Sequence, residues 1–437
     1  MPSSITWSTL SEEAKEQALA RPALSDSVQL QNTVRGIITE VREQGDRALF
    51  SFNEKFDKAK LNKLKLAEEA IQAAIANLSD DVKNAIDLAY DNIKQFHQAQ
   101  YPQDITIETK PGVVCEQKHA PIARVGLYIP GGTAPLPSTV LMLGVCAQVA
   151  ACPLPVLCSP PNELGSLSPE IIYAASKCGI SQIFLCGGAQ AIAAMAFGTE
   201  SIPKVDKIFG PGNSFVTEAK QQVSQSAGGA AIDMPAGPSE VLVLADKTAN
   251  PEFVAADLLS QAEHGVDSQA VLASDDEVLI NKVMAAVEQQ LTQLERKEIA
   301  AQSIENSRFI LCDSMDTCVQ VVNTYAAEHL IVQTADAEDL VSQLQNAGSI
   351  FVGAWSPESA GDYASGTNHV LPTYGYSRNY SSLGLLDFMR RYTVQTLTKE
   401  GIKNIGPAIM TLADAEGLGA HKQAVALRLS ALEKGNE

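Results

Sequence analysis

The stretch FLCGGAQAIAAMAFG, residues 184 to 198, joins an apolar β-rich run to a helical run through a pair of glycines. The same alternation extends outward from it. From about residue 113, β-rich runs such as ARVGLYIP and EVLVLAD alternate with helical runs such as PEFVAADLLSQAEH. Strands that alternate with helices predict α/β units around largely parallel sheets. Residues 8 to 100 instead carry apolar residues at spacings of three and four, which predicts helices.

A chain of 437 residues is too long for one hydrophobic core, so we expect two to four domains. The segment LPTYGYSRNYSSLG, 371 to 384, is rich in Gly, Ser and Tyr and predicts a connection. We predict that the tail after it is helical. Because such a small tail buries little area alone, it should pack on another domain or subunit.

Composition excludes several classes of protein. Hydrophobic residues make up 45% and charged residues 19% of the chain, which is globular composition, and we find no apolar window long enough to span a membrane. The first 25 residues contain acids and lack an apolar core, so they do not resemble a secretory signal, and we expect a cytoplasmic protein. The net charge of -19 opposes binding to nucleic acid and to anionic membranes.

Eight cysteines lie in apolar settings without a C-x-x-C motif. This pattern favours buried, reduced thiols over a zinc cluster or a disulfide framework. Cys115 and Cys152 are poor candidates for a nucleophile, because neither has a nearby cation or helix start in the sequence to lower its pKa.

The dipeptide Glu-His occurs in SQAEHG and again in AAEHL, although the chain has only six histidines. In the first, Asn250 and Pro251 predict the start of a helix and Gly265 its end. Helical spacing makes Gln261 and His264 neighbours and turns Glu263 away. An amide oxygen and an imidazole suit zinc but leave the site incomplete, and a solvated helix end explains the same pattern.

In the second, Glu328 and His329 lie where a predicted helix meets a predicted strand. Both side chains could therefore face one cleft. A carboxylate beside an imidazole can serve as a general-base unit, and the end of the helix would raise the proton affinity of the imidazole. A surface helix cap is the alternative interpretation.

Two further segments combine an acid with a histidine. GDYASGTNHVLPT contains Asp362 and His369 in a run that we predict to be irregular, and EGLGAHK contains Glu416 and His421 in the helical tail. Three glycine turns, at 126 to 142, 184 to 198 and 207 to 216, follow predicted strands and offer backbone N–H groups to a phosphate. None matches G-x-G-x-x-G, so ordinary glycine turns remain an alternative.

These blocks, together with GLYIPGGTAPLPSTVLM, KIFGPGN and IDMPAGPSEVLVLAD, follow one another in an order that resembles the histidinol dehydrogenase family from about residue 25 to 430. Thr367 departs from a proline common in the family, at a position that is not a ligand. The resemblance implies NAD-dependent oxidation of L-histidinol to L-histidine in two consecutive two-electron steps, at the end of histidine biosynthesis.

The resemblance also implies the roles of individual residues. One zinc ion per site, acting chiefly as a template for the substrate, would be held by Gln261, His264, Asp362 and His421. His329 would be the general base, and Glu328 would activate the water that attacks the aldehyde. Further substrate contacts are implied for Ser239, His369 and Glu416, and cofactor contacts for Tyr128, Gln190 and Asn213.

For architecture, the resemblance implies two incomplete Rossmann-like domains, the second inserted in the first. The expected boundaries are a helical extension at 1–24, a first domain at 25–128 and 239–380, a second at 129–238, and a small helical C-terminal domain at 381–437. The resemblance implies a homodimer in which His421 and Glu416 complete the site of the partner subunit.

Two other functions fit parts of the pattern. A zinc hydrolase would use Glu328 to activate metal-bound water and would need no nicotinamide cofactor. A metal-dependent structural or sensing dimer would need neither Glu328 nor His329 for any assay. Formation of NADH from histidinol separates the dehydrogenase from both.

Overall fold

The computed structural model describes residues 4–21, 28–131, 135–235 and 237–434. The predicted boundary at residues 24 and 25, and part of the predicted glycine turn at 126 to 142, lie outside these ranges. The strands are β1 (Ile5–Thr6), β2 (Ile105–Lys110), β3 (Val113–Pro121), β4 (Arg124–Tyr128), β5 (Leu154–Ser159), β6 (Gln182–Leu185), β7 (Lys207–Phe209), β8 (Ala231–Ile232), β9 (Glu240–Ala245), β10 (Gln269–Ser274), β11 (Arg308–Leu311), β12 (His329–Gln333), β13 (Ser349–Val352) and β14 (Met389–Leu397).

Helices cover most of the remaining described chain. They are α1 (Glu12–Ala18), α2 (Val28–Gln44), α3 (Asp46–Phe52), α4 (Glu68–Asn77), α5 (Asp80–Gln98), α6 (Pro137–Val149), α7 (Pro169–Lys177), α8 (Gly188–Phe197), α9 (Ser214–Gln225), α10 (Pro251–Ala262), α11 (Glu277–Leu291), α12 (Lys297–Glu305), α13 (Met315–Tyr325), α14 (Ala337–Leu340), α15 (Glu358–Tyr363), α16 (Lys399–Ala415) and α17 (Gly419–Lys434).

Two parallel sheets confirm the predicted α/β fold. One has the order β1-β11-β10-β9-β12-β13 and the other β6-β5-β4-β7-β8. Counted from β9 in the first and β4 in the second, both follow the order third, second, first, fourth, fifth. In each sheet, strands are thus added first on one side and then on the other side of the first strand. The point between the first and fourth strands, where this order switches, is where α/β proteins commonly form clefts.

Continuous apolar runs explain why these sheets form. Every residue of β9 and of β10 is buried, as expected for parallel strands that are covered on both faces by helices. Helix α10 begins as predicted, because the Asn250 side chain accepts a hydrogen bond from the Glu252 N–H at 3.0 Å and Pro251 occupies the first helical position. The cap therefore fixes where this helix begins.

A second compact unit combines Tyr101–Pro121 with Phe388–Glu437. It contains the antiparallel sheet β14-β3-β2 and the helices α16 and α17, which pack on each other. The prediction of a wholly helical tail was wrong at β14. Its residues pair with β3 from Met389 opposite Pro121 to Leu397 opposite Val113, and this long-range pairing outweighs local helical preference.

Strand pairing also bears on the predicted domain boundaries. Strand β4 is central in the five-stranded sheet, so the inserted domain that we predicted to begin at 129 would begin before residue 124. Helix α2, which we assigned to the first domain, packs on α8 and α9, which cover the five-stranded sheet. Strand β1 joins the six-stranded sheet beside β11, although we predicted a helical extension there.

Within the described residues, no helix combines the length and the apolar character that a membrane crossing requires. Six of the eight cysteines are buried, which agrees with the prediction of buried thiols, whereas Cys115 and Cys152 are partly buried.

Candidate active site

Helices α10 and α15 bring a group of metal-ligating side chains together. Gln261 and His264 are neighbours as predicted, with the Gln261 Nε2 atom 2.9 Å from His264 Nδ1. From α15, Glu358 and Asp362 approach the same point, and ligand atoms of His264, Glu358 and Asp362 lie within 4.8 Å of one another. The segment that contains Asp362 was predicted to be irregular, but α15 is helical and carries both acids on one face, because they are four residues apart.

The dipeptide Glu328 and His329 lies beside this group. Helix α13 ends at Tyr325, earlier than predicted, and β12 starts at His329, so Glu328 lies in the connection between them and His329 is the first residue of the strand. The His329 Nε2 atom is 3.6 Å from Asp362 Oδ1, and its Nδ1 atom is 3.7 Å from Glu328 Oε2. Both side chains are buried, which excludes the alternative of a surface helix cap.

Burial and mutual charge shift the proton affinities of these groups. Burial raises the pKa of Glu328 to about 8 and that of Glu358 to about 8. Burial lowers the pKa of His329, but the carboxylates of Glu358, Glu328 and Asp362 outweigh it and raise the value to about 10. The neighbouring carboxylates, rather than the helix end that we predicted, are therefore the cause of the raised value.

A cavity of about 580 Å³ opens onto these residues. Ser239, His264, Glu328 and His369, all predicted site residues, line it. His369 is held there because its Nδ1 atom lies 2.8 Å from the Asp362 carbonyl oxygen, with its Nε2 atom 3.3 Å from Thr139 Oγ1. The cavity is thus bordered by carboxylate, imidazole and hydroxyl groups that can orient a small polar molecule.

A second cavity, of about 900 Å³, contains the predicted cofactor residues Tyr128, Gln190 and Asn213. The Tyr128 hydroxyl accepts a hydrogen bond at 3.1 Å from the N–H of Gly188, which opens α8 with a φ of 64°. One N–H group that we expected to face a phosphate is therefore already bonded. Asn213 caps α9 through its Oδ1 atom and lines both cavities, so the two cavities are neighbours at this residue.

The two sheets use opposite ends. The larger cavity reaches Tyr128 and Ser159, which end β4 and β5, and this is the usual ligand edge of an open parallel sheet. The smaller cavity instead reaches Ser239 and Glu328, which immediately precede β9 and β12. Because α10 runs back along its sheet, Gln261 and His264 also arrive at this amino edge.

Predicted residues elsewhere in the chain are exposed or make structural contacts. His421 is the third residue of α17 and Glu416 follows α16; both are exposed in the second unit, and their roles stay predictions. His97 is buried with Nδ1 3.0 Å from Gln100 Oε1, and His119 lies on β3 with Nδ1 3.2 Å from Asp104, as expected for structural histidines. Burial raises the pKa of Cys152 to about 12, which agrees with its rejection as a nucleophile.

Sequence reasoning missed two acids of the site. Glu358 could have been found, since it lies four residues before Asp362 and both would share one face of a helix. Glu240 had no local signal. It opens β9, and its N–H donates to Glu328 Oε2 at 2.8 Å, a contact across 88 residues.

Known proteins resemble this chain over nearly its whole length. A family model described as histidinol dehydrogenase matches residues 19–429. A histidinol dehydrogenase of Aliivibrio fischeri is 55% identical over 428 residues, covering 98% of this chain and 97% of that protein. One of Vibrio cholerae is 56% identical over 430 residues, covering 98% and 99%.

Solved structures agree with this result. The crystal structure of histidinol dehydrogenase from Elizabethkingia anophelis is 51% identical and covers 97% of each chain with a TM-score of 0.94. Sequence, fold and the composition of the site thus lead to one assignment: the chain belongs to the histidinol dehydrogenase family.

Proposed function

We propose that this protein oxidises L-histidinol to L-histidine through L-histidinaldehyde, using NAD in both steps and one zinc ion per site. Family membership supports the reaction, and one structural observation carries the proposal. The buried pair of Glu328 and His329 borders a cluster of side chains that can hold a metal ion, next to a cavity that shares the lining residue Asn213 with a second, larger cavity. This arrangement would provide a base, a group that activates water and space for a cofactor beside one substrate.

The side chains present fit a zinc ion. Gln261 Oε1 and both carboxylate oxygens of Glu358 are buried and have no hydrogen-bond partner among the described residues, which is costly unless a cation or water contacts them. Amide oxygen, imidazole nitrogen and carboxylate oxygen are ligands that zinc accepts. We propose that Gln261, His264 and Asp362 hold the ion together with His421 of the partner subunit.

When bound, the zinc ion would anchor the imidazole and amine of the substrate, and the nicotinamide would accept the electrons of each step. Substrate orientation would also involve Ser239, His369 and Glu416. The larger cavity has room for the dinucleotide, with contacts from Tyr128, Gln190 and Asn213.

His329 would accept the hydroxyl proton at Nε2. Its Nδ1 atom lies 3.3 Å from the Glu240 carbonyl oxygen, so a proton on Nδ1 would leave the lone pair on Nε2. With the pKa raised to about 10 by three carboxylates, His329 would hold its proton too firmly. Base function therefore requires that this negative charge be neutralised, which a divalent cation at Asp362 would do.

Glu328 would take the proton of the water that attacks the aldehyde. Burial raises the pKa of Glu328 to about 8, close to the pH at which a general base accepts and releases protons most effectively. The N–H of Glu240 holds one carboxylate oxygen, so the other can face the cavity.

The two subunits of a homodimer would complete each other's sites. Exposure of His421 and Glu416 in the second unit is consistent with a contribution to a partner. A cytoplasmic location, and the absence of nucleic-acid and membrane partners, also stay predictions.

The decisive experiment follows NADH absorbance while the zinc-loaded protein turns over L-histidinol. We expect two NADH molecules per histidinol consumed, with L-histidine as product. Absence of NADH formation in a zinc-loaded, folded sample would contradict the proposal. The hydrolase alternative gains no support from the family to which the chain belongs.

A further inference from the structure

A buried ion pair between Arg21 and Glu240 lies next to the dipeptide of Glu328 and His329 and lines neither of the two cavities. Arg21 donates two hydrogen bonds to the Glu240 carboxylate, from Nε to Oε2 at 2.5 Å and from Nη2 to Oε1 at 2.7 Å. The Arg21 side chain is 10% exposed and that of Glu240 is 2% exposed. Burying two charges costs desolvation energy, so such a pair adds little stability compared with apolar residues of similar size. The pair is therefore of interest for the contacts that it makes with neighbouring residues rather than for the free energy of folding.

Glu240 contacts both members of the dipeptide through its backbone. Its N–H donates to Glu328 Oε2 at 2.8 Å, and its carbonyl oxygen lies 3.3 Å from His329 Nδ1. In return, the N–H of Glu328 donates to Glu240 Oε1 at 3.2 Å. A rotation or shift of Glu240 would therefore displace both side chains together.

Arg21 also fixes the turn that leads into the dipeptide. Its Nη2 group donates to the carbonyl oxygen of Tyr325 at 2.7 Å and lies 3.4 Å from that of Ala326. Ala326 has a left-handed backbone with a φ of 57°, which an L-residue adopts only when its surroundings hold it there. The guanidinium stacks over the Tyr325 ring at 4.1 Å.

The anchoring continues to the backbone of Arg21 itself. Gln269 Nε2 donates to the Ala20 carbonyl oxygen at 3.3 Å, and Gln269 Oε1 accepts the Tyr325 hydroxyl at 2.7 Å. Gln269 on β10 thus holds both the backbone that precedes Arg21 and the aromatic ring at the end of α13.

We propose that Arg21 and Glu240 are positioning residues, which aim Glu328 and His329 at the substrate without touching it. The proposal rests on the roles given to the dipeptide under the proposed function. A planar guanidinium that bridges a carboxylate and a backbone carbonyl fixes direction as well as distance, which a lysine ammonium does not.

The test compares Arg21→Lys with Arg124→Lys. Arg124 makes a similar two-point contact to Asp206, with Nη2 to Oδ1 at 2.6 Å, but both side chains are exposed at the amino end of the central strand β4 of the other sheet. We expect Arg21→Lys to lower kcat for histidinol by about 10- to 100-fold, with zinc content and the KM for NAD unchanged. Arg124→Lys should match the parent.

Two further variants guard against misfolding of the first. Glu240→Gln keeps the size of the side chain and should lower kcat in the same direction. Arg21→Ala, which removes the guanidinium, should regain part of its activity in added guanidinium chloride at concentrations that leave the parent folded. If Arg21→Lys and Glu240→Gln both retain the parent kcat when folded and loaded with zinc, the proposal is overturned.

A readout without turnover separates this proposal from the proposed function. The chain has six histidines, so ring signals of ¹⁵N-histidine-labelled protein can be followed and His329 assigned from His329→Gln. We expect the His329 ring signals to shift or broaden in Arg21→Lys and to stay unchanged in Arg124→Lys. Moved signals in a protein that does not oxidise histidinol would sink the function and keep the positioning role. Unchanged signals in an active protein would sink the positioning role alone.

Discussion

Individual residues at the site have chemistry set by what surrounds them. Glu328 and His329 are only 6% and 3% exposed, so neighbouring protein groups rather than bulk water determine the pKa of each side chain. Their proton affinities depend on each other and on Glu358 and Asp362. The same two amino acids in SQAEHG, as Glu263 and His264, lie at a helix end, where we propose a metal-binding role for His264 and none for Glu263.

Replacing either member of the dipeptide should stop catalysis and leave the metal site intact. We expect Glu328→Gln and His329→Gln to lower turnover of histidinol by about 100- to 10,000-fold, the usual contribution of a positioned general base. Zinc content, measured by atomic absorption, should match the parent, because neither residue is a proposed ligand. Parent-like turnover in both variants would favour a structural or sensing protein instead.

Asp257 provides a pH-dependent prediction away from the reacting atoms. It is 7% exposed, accepts a hydrogen bond from Gln333 Nε2 at 2.8 Å, and burial raises its pKa from 3.8 to about 7. The folded protein thus holds this proton more tightly than the unfolded chain does, so ionisation destabilises the fold increasingly from about pH 4 to pH 7.

We therefore expect Asp257→Asn to raise the free energy of unfolding of the metal-free protein by about 1 to 3 kcal/mol at pH 8. The difference should shrink as the pH falls toward about 4, where the parent carboxyl is protonated in both states. Urea unfolding at several pH values measures it. A difference that does not depend on pH would mean that Asp257 is not the titrating group.

Local spacing allowed some of these residues to be predicted and hid others. Gln261 lies in the last turn of α10 and His264 directly follows the C-cap Glu263, so their proximity still follows from the helical repeat. The contact between Arg21 and Glu240 spans 219 residues and leaves no periodic signal in the sequence. Only the pairing of distant strands and the end of α1 bring them together.

At the scale of elements, the carboxyl end of α10 positions two proposed zinc ligands. Gln261 and His264 lie at its carboxyl end, and Glu263 is the residue that follows its last turn. We expect Gln261→Ala and His264→Ala each to weaken zinc binding by at least about 100-fold. Glu263→Gln, the matched control, should bind zinc like the parent in a chelator competition. Equal loss in the control would show that the helix end, rather than its ligand face, was disturbed.

The hydrogen bond between the end of β4 and the start of α8 allows a second prediction. Tyr128 ends β4 and accepts the Gly188 N–H that opens α8, and burial raises the pKa of Tyr128, so it stays neutral. We expect Tyr128→Phe to raise the KM for NAD several-fold, because about 1 kcal/mol of hydrogen bonding is lost at the mouth of the larger cavity. The KM for histidinol should change little. If the KM for histidinol rises instead and that for NAD does not, Tyr128 does not belong to the cofactor site.

Elements were predicted best where their neighbours are close in sequence. The helices of residues 28–98 and the buried strands of both sheets have strong local periods, and these agree with the structure. The sequence did not predict β14, because most of its residues have polar or charged side chains. Its partner β3 lies far upstream, so only the fold brings the two strands together. Strand pairing over such distances is invisible to local patterns.

At the scale of the whole molecule, the proposed dimer can be tested by complementation. In a mixture of His421→Ala and His329→Ala subunits, a hybrid dimer would contain one site with both residues intact. Random exchange should then restore roughly a quarter of the parent activity, since half of the dimers are hybrids with one intact site each. Activity is measured after subunit exchange has been verified with tagged chains. No recovery would mean that His421 serves its own subunit.

The second unit is assembled from two segments, Tyr101–Pro121 and Phe388–Glu437, which are separated by most of the first unit. During synthesis the hairpin of β2 and β3 leaves the ribosome long before β14 exists, so one edge of β3 waits without the strand that will cover it. An uncovered strand edge is a place where chains associate wrongly. Truncation before residue 389 should therefore produce a chain that aggregates at concentrations where the parent stays dispersed, as light scattering would measure, because it lacks the strand that covers this edge of β3.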